Sequence, residues 1–314
     1  MFKMESKTTI VTMYFNIKNL PDATDQVRPQ SFYMEKGRAT LALDFPMVIF
    51  CDDTCYTDIK ALRGDRPTHY IVKSLLDYDF YKDNYSIIKN NREGNPQYLD
   101  SRNTTSYCIL TVFKLYAMWI AKQASPFGEA THYAWVDFGG SHILRNFEEY
   151  APLMLKNPHP KVAFCYIHFR GAQEMTMTSD FAKGGYCGVG ATCFTIESSY
   201  VSRFYNACMS IFHEMLAIKL CHHEEQIMAY FYHRYPQLCN IYYGDYYSIL
   251  ANYHITRDDY MSIKRFFINE AILKGRRDLA IDAAKAILAS SENNTMNLAP
   301  HEILFLNNIV DTEV

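Results

Sequence analysis

The apolar positions of this chain fall into two patterns. Short continuous runs occur at 8–15 (TTIVTMYF), 46–51 (PMVIFC), 69–72 (HYIV), 132–136 (HYAWV), 162–169 and 191–196 (ATCFTI). Runs of this length, bounded by polar residues, read as strands buried on both faces. Longer stretches carry helical spacing: 31–43, 101–123, 198–220 and a segment starting near Glu224. In 101–123, Tyr107, Leu110, Thr111, Lys114, Leu115 and Met118 recur at the helical period. Strands alternating with helices predict an α/β core with a mostly parallel central sheet. The strands 8–15, 46–51 and 132–136 should be neighbours, so that Thr12 and Asp137 converge at one end of the sheet. From Thr256 the pattern is helical throughout, with an Ala-rich amphipathic stretch at 277–290 (RDLAIDAAKAILAS). Residues 256–314 are therefore expected to form a helical appendage, packed on the core or serving a homodimer.

Composition narrows the function. Hydrophobic residues make up 49% of the 314, enough for a sizeable core. Lys and Arg total 31 against 34 Asp and Glu, a net charge of −3. A polyanion binder would be basic, so nucleic acid is not expected as a partner. The 25 Tyr and 20 Phe suit a core, and equally a cleft that binds sugars. Nine cysteines, an odd number, lie scattered in apolar segments and read as reduced, buried thiols of a cytoplasmic protein. Cys51 and Cys55 have no second pair to complete a zinc site. No apolar run reaches the ~18 residues of a membrane span, and no signal-like segment opens the chain.

Four groups of residues could carry chemistry. Asp52 and Asp53 close one strand and Asp137 closes another, where ligands of open α/β sheets bind. Carboxylates there can hold a divalent cation against a diphosphate, and Gly139-Gly140 lets backbone approach a ligand. The second group is the glycine-rich stretch 184–190, which matches neither a P-loop nor GxGxxG and suits a loop passing close to a sugar. The third is Cys221-His222-His223-Glu224-Glu225-Gln226, where Glu224 or Glu225 opens a helix. Adjacent histidines cannot share one helix face, so zinc is not expected here. The fourth, 242–254, ends on His254, whose imidazole could complete a metal site.

Taken together, TTIVTMYF, FPMVIFCDD, the helix with Lys114, AWVDFGG, GGYCGVG, HHEEQIM and YYGDYYSILANYH resemble the bacterial HtrL/YibB family, itself similar to GT-A glycosyltransferases. The resemblance spans roughly residues 8–254. It implies a GT-A-like core over 1–255, with a nucleotide-sugar-binding half at 1–140 and an acceptor half at 141–255. WVDFGG takes the place of the Asp-x-Asp motif, without an acid two positions upstream. The implied donor-binding residues are Thr12, Tyr14, Asp52, Asp53, Lys114, Asp137, Gly184 and Gly185. The implied metal ligands, for Mn²⁺ or Mg²⁺, are Asp137 and His254, and Glu224 or Glu225 faces the acceptor as a catalytic base. The expected reaction moves a hexose-type unit from a UDP- or GDP-sugar to a hydroxyl of a glycan or other acceptor. The competing readings are a catalytically silent binding module of the same fold and a metal-dependent phosphoester hydrolase.

Overall fold

A computed structural model describes residues 7–24, 28–93, 104–179, 188–221 and 223–311. Seven strands form one sheet: β1 (Thr8–Tyr14), β2 (Met47–Cys51), β3 (Thr68–Val72), β4 (His132–Val136), β5 (Val162–Tyr166), β6 (Val189–Glu197) and β7 (Cys239–Tyr243). Their spatial order is β3-β2-β1-β4-β6-β5-β7. Neighbouring pairs are parallel except where β6 runs against β4 and β5. β1 lies between β2 and β4, pairing Thr12 with Ile49 and Val11 with Trp135. The three apolar runs expected to be neighbours are neighbours. This is an α/β architecture with a mostly parallel central sheet.

The alternation of side chains along each strand divides the core. Ile10, Met47, Ile49, Ala134 and Val136 face α1 (Gln30–Ala42), α2 (Asp53–Arg63) and α5 (Phe147–Lys156). Val11, Val48, Phe50, Trp135, Phe164 and Phe194 face the other layer: α3 (Asp79–Glu93), α4 (Thr105–Ala124), α6 (Val201–Ala217) and α7 (Glu224–Arg234). α4 starts where the Thr104 side chain accepts the Tyr107 N–H and stops at Ser125, which takes a left-handed conformation (φ 37°). α7 opens with Glu224 and Glu225 in its first turn and ends with His233 and Arg234, which suits the helix dipole. Arg234 holds Glu214 of α6 through two hydrogen bonds of 2.8 and 2.6 Å.

The helical segment expected after Thr256 is present as α8 (Tyr260–Ile263), a π-helical turn (Lys264–Ile268), α9 (Asn269–Leu273), α10 (Arg277–Glu292) and α11 (Pro300–Asp311). Its apolar residues join the core of the sheet. The Phe267 ring lies 5.0 Å from Tyr166 and 4.6 Å from Tyr243, both at the ends of strands. All eight cysteines among the described residues are free, and all but Cys239 are buried. Among the described residues, no helix is long and apolar enough to cross a membrane.

Candidate functional site

Chain order along the sheet reverses between β1 and β4. Strands leading to β2 and β3 run one way from there, and the rest run the other. Loops at the carboxyl ends of the two strands diverge at such a point and leave a crevice. Asp137 is the first residue beyond β4 and stands in it. α1 backs the loop that follows: Thr40 Oγ1 donates to the Asp137 carbonyl at 3.2 Å, and Ser141 Oγ to the Lys36 carbonyl at 3.0 Å. Gly37 makes this approach possible, since a Cβ there would lie 2.2 Å from the Phe138 ring.

The Asp137 carboxylate is held from below. Following Trp135 by two residues, it sits on the α4 side of the sheet. Its Oδ1 accepts the Trp135 indole N–H at 2.7 Å and lies 2.9 Å from Lys114 Nζ. The same ammonium is 2.5 Å from Glu224 Oε1 and 3.5 Å from the Ala191 carbonyl. Three elements meet here: the middle of α4, the end of β4 and the first residue of α7. The Lys114 and Glu224 side chains keep only 11% and 5% of their surface exposed, against 30% for Asp137. Burial works against the Lys114 charge, but Asp137 and Glu224 outweigh it, and the pKa is raised. Burial pushes the Asp137 carboxyl up; Lys114 opposes this and Glu224 adds to it. With Oδ1 doubly bonded, Asp137 Oδ2 takes no hydrogen bond from the described residues and is not buried. It is the oxygen available to a ligand. Glu224 Oε2 is buried without a hydrogen-bond partner among the described residues.

Beside this triad, Glu225 is half-buried. Its Oε1 accepts the Ala191 N–H at 3.4 Å and its Oε2 the Tyr246 hydroxyl at 3.1 Å. Tyr107 lies two helical turns before Lys114 on α4. Burial raises its phenol pKa, and the charge of Glu224 adds to the rise. On the β1 side, the Tyr14 ring stacks on Phe138 (centroids 5.1 Å) and lies 5.5 Å from Tyr33.

The sequence-derived residues divide accordingly. Asp137, Lys114, Glu224 and Glu225 cluster, and Tyr14 borders them through Phe138. Lys114 pairs with Asp137 and Glu224 in a buried ion triad. Thr12 is fully buried, its Oγ1 without a hydrogen-bond partner among the described residues. Asp52 is turned to local duty, accepting the Asn16 N–H at 2.8 Å and the Thr54 hydroxyl at 2.5 Å. Asp53 is exposed at the start of α2. Gly184 and Gly185 lie outside the described residues. His254 corrects an expectation. It contacts the Leu153 carbonyl at 3.2 Å and the His159 ring at 5.3 Å. Those neighbours belong to α5 and to the loop entering β5, at the opposite end of the strands and on the opposite face from Lys114. His254 therefore does not join Asp137 in a metal site.

Trp135, Tyr107 and Tyr246 complete the cluster without having been singled out. Trp135 occupies the place two positions before Asp137 where the motif has an acid, and it supplies a donor there. The heptad spacing of Tyr107 and Lys114 on one helix was the available signal for Tyr107.

The donor set can be tested against a divalent cation. Among the described residues, no group of three or more His, Cys, Asp or Glu is arranged to hold one. An ion on Asp137 Oδ2 would meet one carboxylate oxygen, with the charge of Lys114 offsetting that of Glu224. Mg²⁺ is commonly held by one or two carboxylates together with substrate phosphates and water. Asp137 Oδ2 is the protein oxygen here that would take part in such a site.

A mostly parallel sheet of this order, with a carboxylate presented at its switch point, defines an open-sheet α/β protein. More specifically, the family model described as "Bacterial protein of unknown function (HtrL_YibB)" matches residues 6–254, and the chain belongs to this family. No curated protein matches the chain. Among solved structures, the chain is similar to the crystal structure of mouse xyloside xylosyltransferase 1 in its apo form. Identity is 8% and the TM-score 0.39, covering 74% of this chain and 84% of that one. An overlap this loose carries no argument about activity.

Proposed function

We propose that this protein is a glycosyltransferase that moves a sugar from a nucleoside diphosphate to an acceptor hydroxyl. The reading rests above all on Asp137, which stands at the switch point with one oxygen fixed by Lys114 and Trp135 and the other open. A fixed, outward-facing carboxylate is suited to accept hydroxyl groups of a sugar nucleotide without reorganising. Glu225, next to Glu224 on α7 but not tied to Lys114, is the proposed acceptor-side base. Its hydrogen bond from Tyr246 sets its orientation. Glu224 is the counter-charge of Lys114, which leaves it no part in proton transfer. The hydrolase reading loses its support, because Asp52 is engaged with Asn16 and Thr54, and Asp53 is exposed on α2.

The test is a screen of UDP- and GDP-sugars for release of nucleoside diphosphate in the presence of sugar acceptors. Turnover is expected with at least one donor. Asp137→Asn should abolish it, and Glu225→Gln should lower kcat by ~10²–10⁴-fold with nucleotide affinity nearly kept. A chain that binds nucleotide but never releases product would be the silent module instead. Wild-type rates in both variants would refute the assignment of roles.

A further inference from the structure

Four side chains outside the ion triad meet where α3, α4 and the segment entering α7 converge. Arg92, in the last turn of α3, donates to the Cys108 sulfur of α4 at 3.1 Å. The Cys221 thiol and the His223 ring hydrogen-bond the same sulfur. Both cysteines are free, and each keeps 1% of its surface exposed. We infer that Cys108 and Cys221 are an oxidisable pair: hydrogen peroxide oxidises the Cys108 sulfur, and Cys221 closes a disulfide on it.

The roles of the two thiols follow from their surroundings. Cys108 is held well below the ordinary thiol range, because the hydrogen bonds from Cys221 and His223 and the charges of His223 and Arg92 outweigh burial. Cys221 is pushed up by its hydrogen bond to Cys108 and by burial. Burial works against a charge on His223, but Cys108 outweighs it and the imidazole pKa is raised. Cys108 is therefore the thiolate that attacks, and Cys221 keeps its proton. Cys108 also lies in the first turn of α4, where the helix dipole favours negative charge. The partners are fixed in place. Asn91, beside Arg92, donates to the Leu216 and Leu220 carbonyls at 3.0 and 3.3 Å and anchors the turn that delivers Cys221. The Tyr107 ring meets the His223 ring edge-on, with centroids 5.4 Å apart.

In the first step the Cys108 thiolate takes one peroxide oxygen and becomes a sulfenic acid. The other oxygen leaves as water after gaining a proton, which His223 is placed to give. In the second step the Cys221 sulfur attacks the Cys108 sulfur, and its proton leaves with the hydroxyl as a second water. Across both steps two thiols lose two electrons to one peroxide. Peroxide is small and uncharged, and it reaches the buried pair through local opening. The bridge ties α4, which carries Lys114, to the residue three places before Glu224. It thus fastens together the two elements that hold the triad, whatever ligand occupies the crevice.

The experiment treats the reduced wild-type chain with hydrogen peroxide, blocks the remaining thiols with iodoacetamide under denaturing conditions and digests with trypsin. Trypsin releases Cys108 in residues 103–114 and Cys221 in residues 220–234, each without another cysteine. Mass spectrometry should find these two peptides as one linked species, separated by dithiothreitol and formed before any other cysteine is oxidised. In Cys221→Ser, the 103–114 peptide should instead carry a dimedone adduct of the sulfenic acid. Persistence of both thiols, or earlier oxidation of another cysteine, would overturn the inference. Arg92→Gln should slow Cys108 oxidation about tenfold, and an unchanged rate in the folded variant would count against the inference equally.

Discussion

Asp259 carries a left-handed backbone (φ 69°) and a side chain only 8% exposed, beside Asp258 and facing Asp245. Burial raises its pKa to about 6; a Ser248 hydrogen bond opposes the rise, and the charges of Asp245 and Asp258 add to it. Arg145, 3.4 Å from Oδ1, is the cation facing it, and Oδ2 is buried without a hydrogen-bond partner among the described residues. The folded pKa lies above the unfolded one. Its contribution to stability is therefore fully present below about pH 4 and is lost as the pH rises through about 6. Asn tolerates the left-handed conformation. Asp259→Asn should therefore stabilise the protein at pH 7.5 by on the order of 1–2 kcal/mol, with the gain shrinking toward pH 5. Urea unfolding at both pH values checks this, and a gain independent of pH would refute it. At this scale the sequence showed that Asp137 closes a strand. That Trp135 and Lys114 grip one of its oxygens was invisible, because both contacts depend on how α4 lies across the sheet. His254 misled for the same reason: its place in the chain, just past the last strand, says nothing about which face it lands on.

Among the elements, α2 and the strands beside it are fastened by Arg63. The guanidinium is fully buried, and its five N–H groups are all used. They reach the carbonyls of Leu41, Leu43, Phe45 and Pro67 and the Thr68 hydroxyl, at 2.6–3.2 Å. Burial lowers its pKa to about 10, which leaves it charged at neutral pH. Arg63→Met would strand these acceptors and should cost about 3 kcal/mol or more. A loss below ~1 kcal/mol in urea unfolding would show that water replaces the arginine without penalty. Strands covered on both faces, such as β1, β2 and β4, could be read directly from their continuous apolar runs. The pattern did not single out α2, α3, α5 or β7. α2 starts on Asp53 immediately after β2, so its first turn looks like a strand-end acidic cluster. α5 carries Pro152 inside it, and β7 lies at the sheet edge, where only Tyr242 and Tyr243 are buried.

For the molecule as a whole, the C-terminal helices belong to the same packed core as the sheet. Lys274 at the end of α9 pairs with Glu174 at 2.5 Å, and Leu306 of α11 is fully buried in the cluster that contains Val11 and Trp135. Leu306→Ala should cost ~2–4 kcal/mol, with UDP affinity unchanged, because the contacts that position Asp137 and Glu224 come from β4, α4 and α7. Thermal unfolding and nucleotide titration of one sample test both halves, and a large loss of affinity in a folded variant would tie these helices to the site. The sequence by itself determined the class: continuous apolar runs between helical periods leave little alternative to a mostly parallel sheet, and acids after such runs must emerge at its carboxyl end. Only the tertiary structure decided the site. Strand order, the reversal between β1 and β4, and the crossing of α4 and α7 are set by long-range packing. Residues 114, 135, 137 and 224 meet there although no local pattern links them, in an ion triad built around Lys114 with the Trp135 indole on the same Asp137 oxygen.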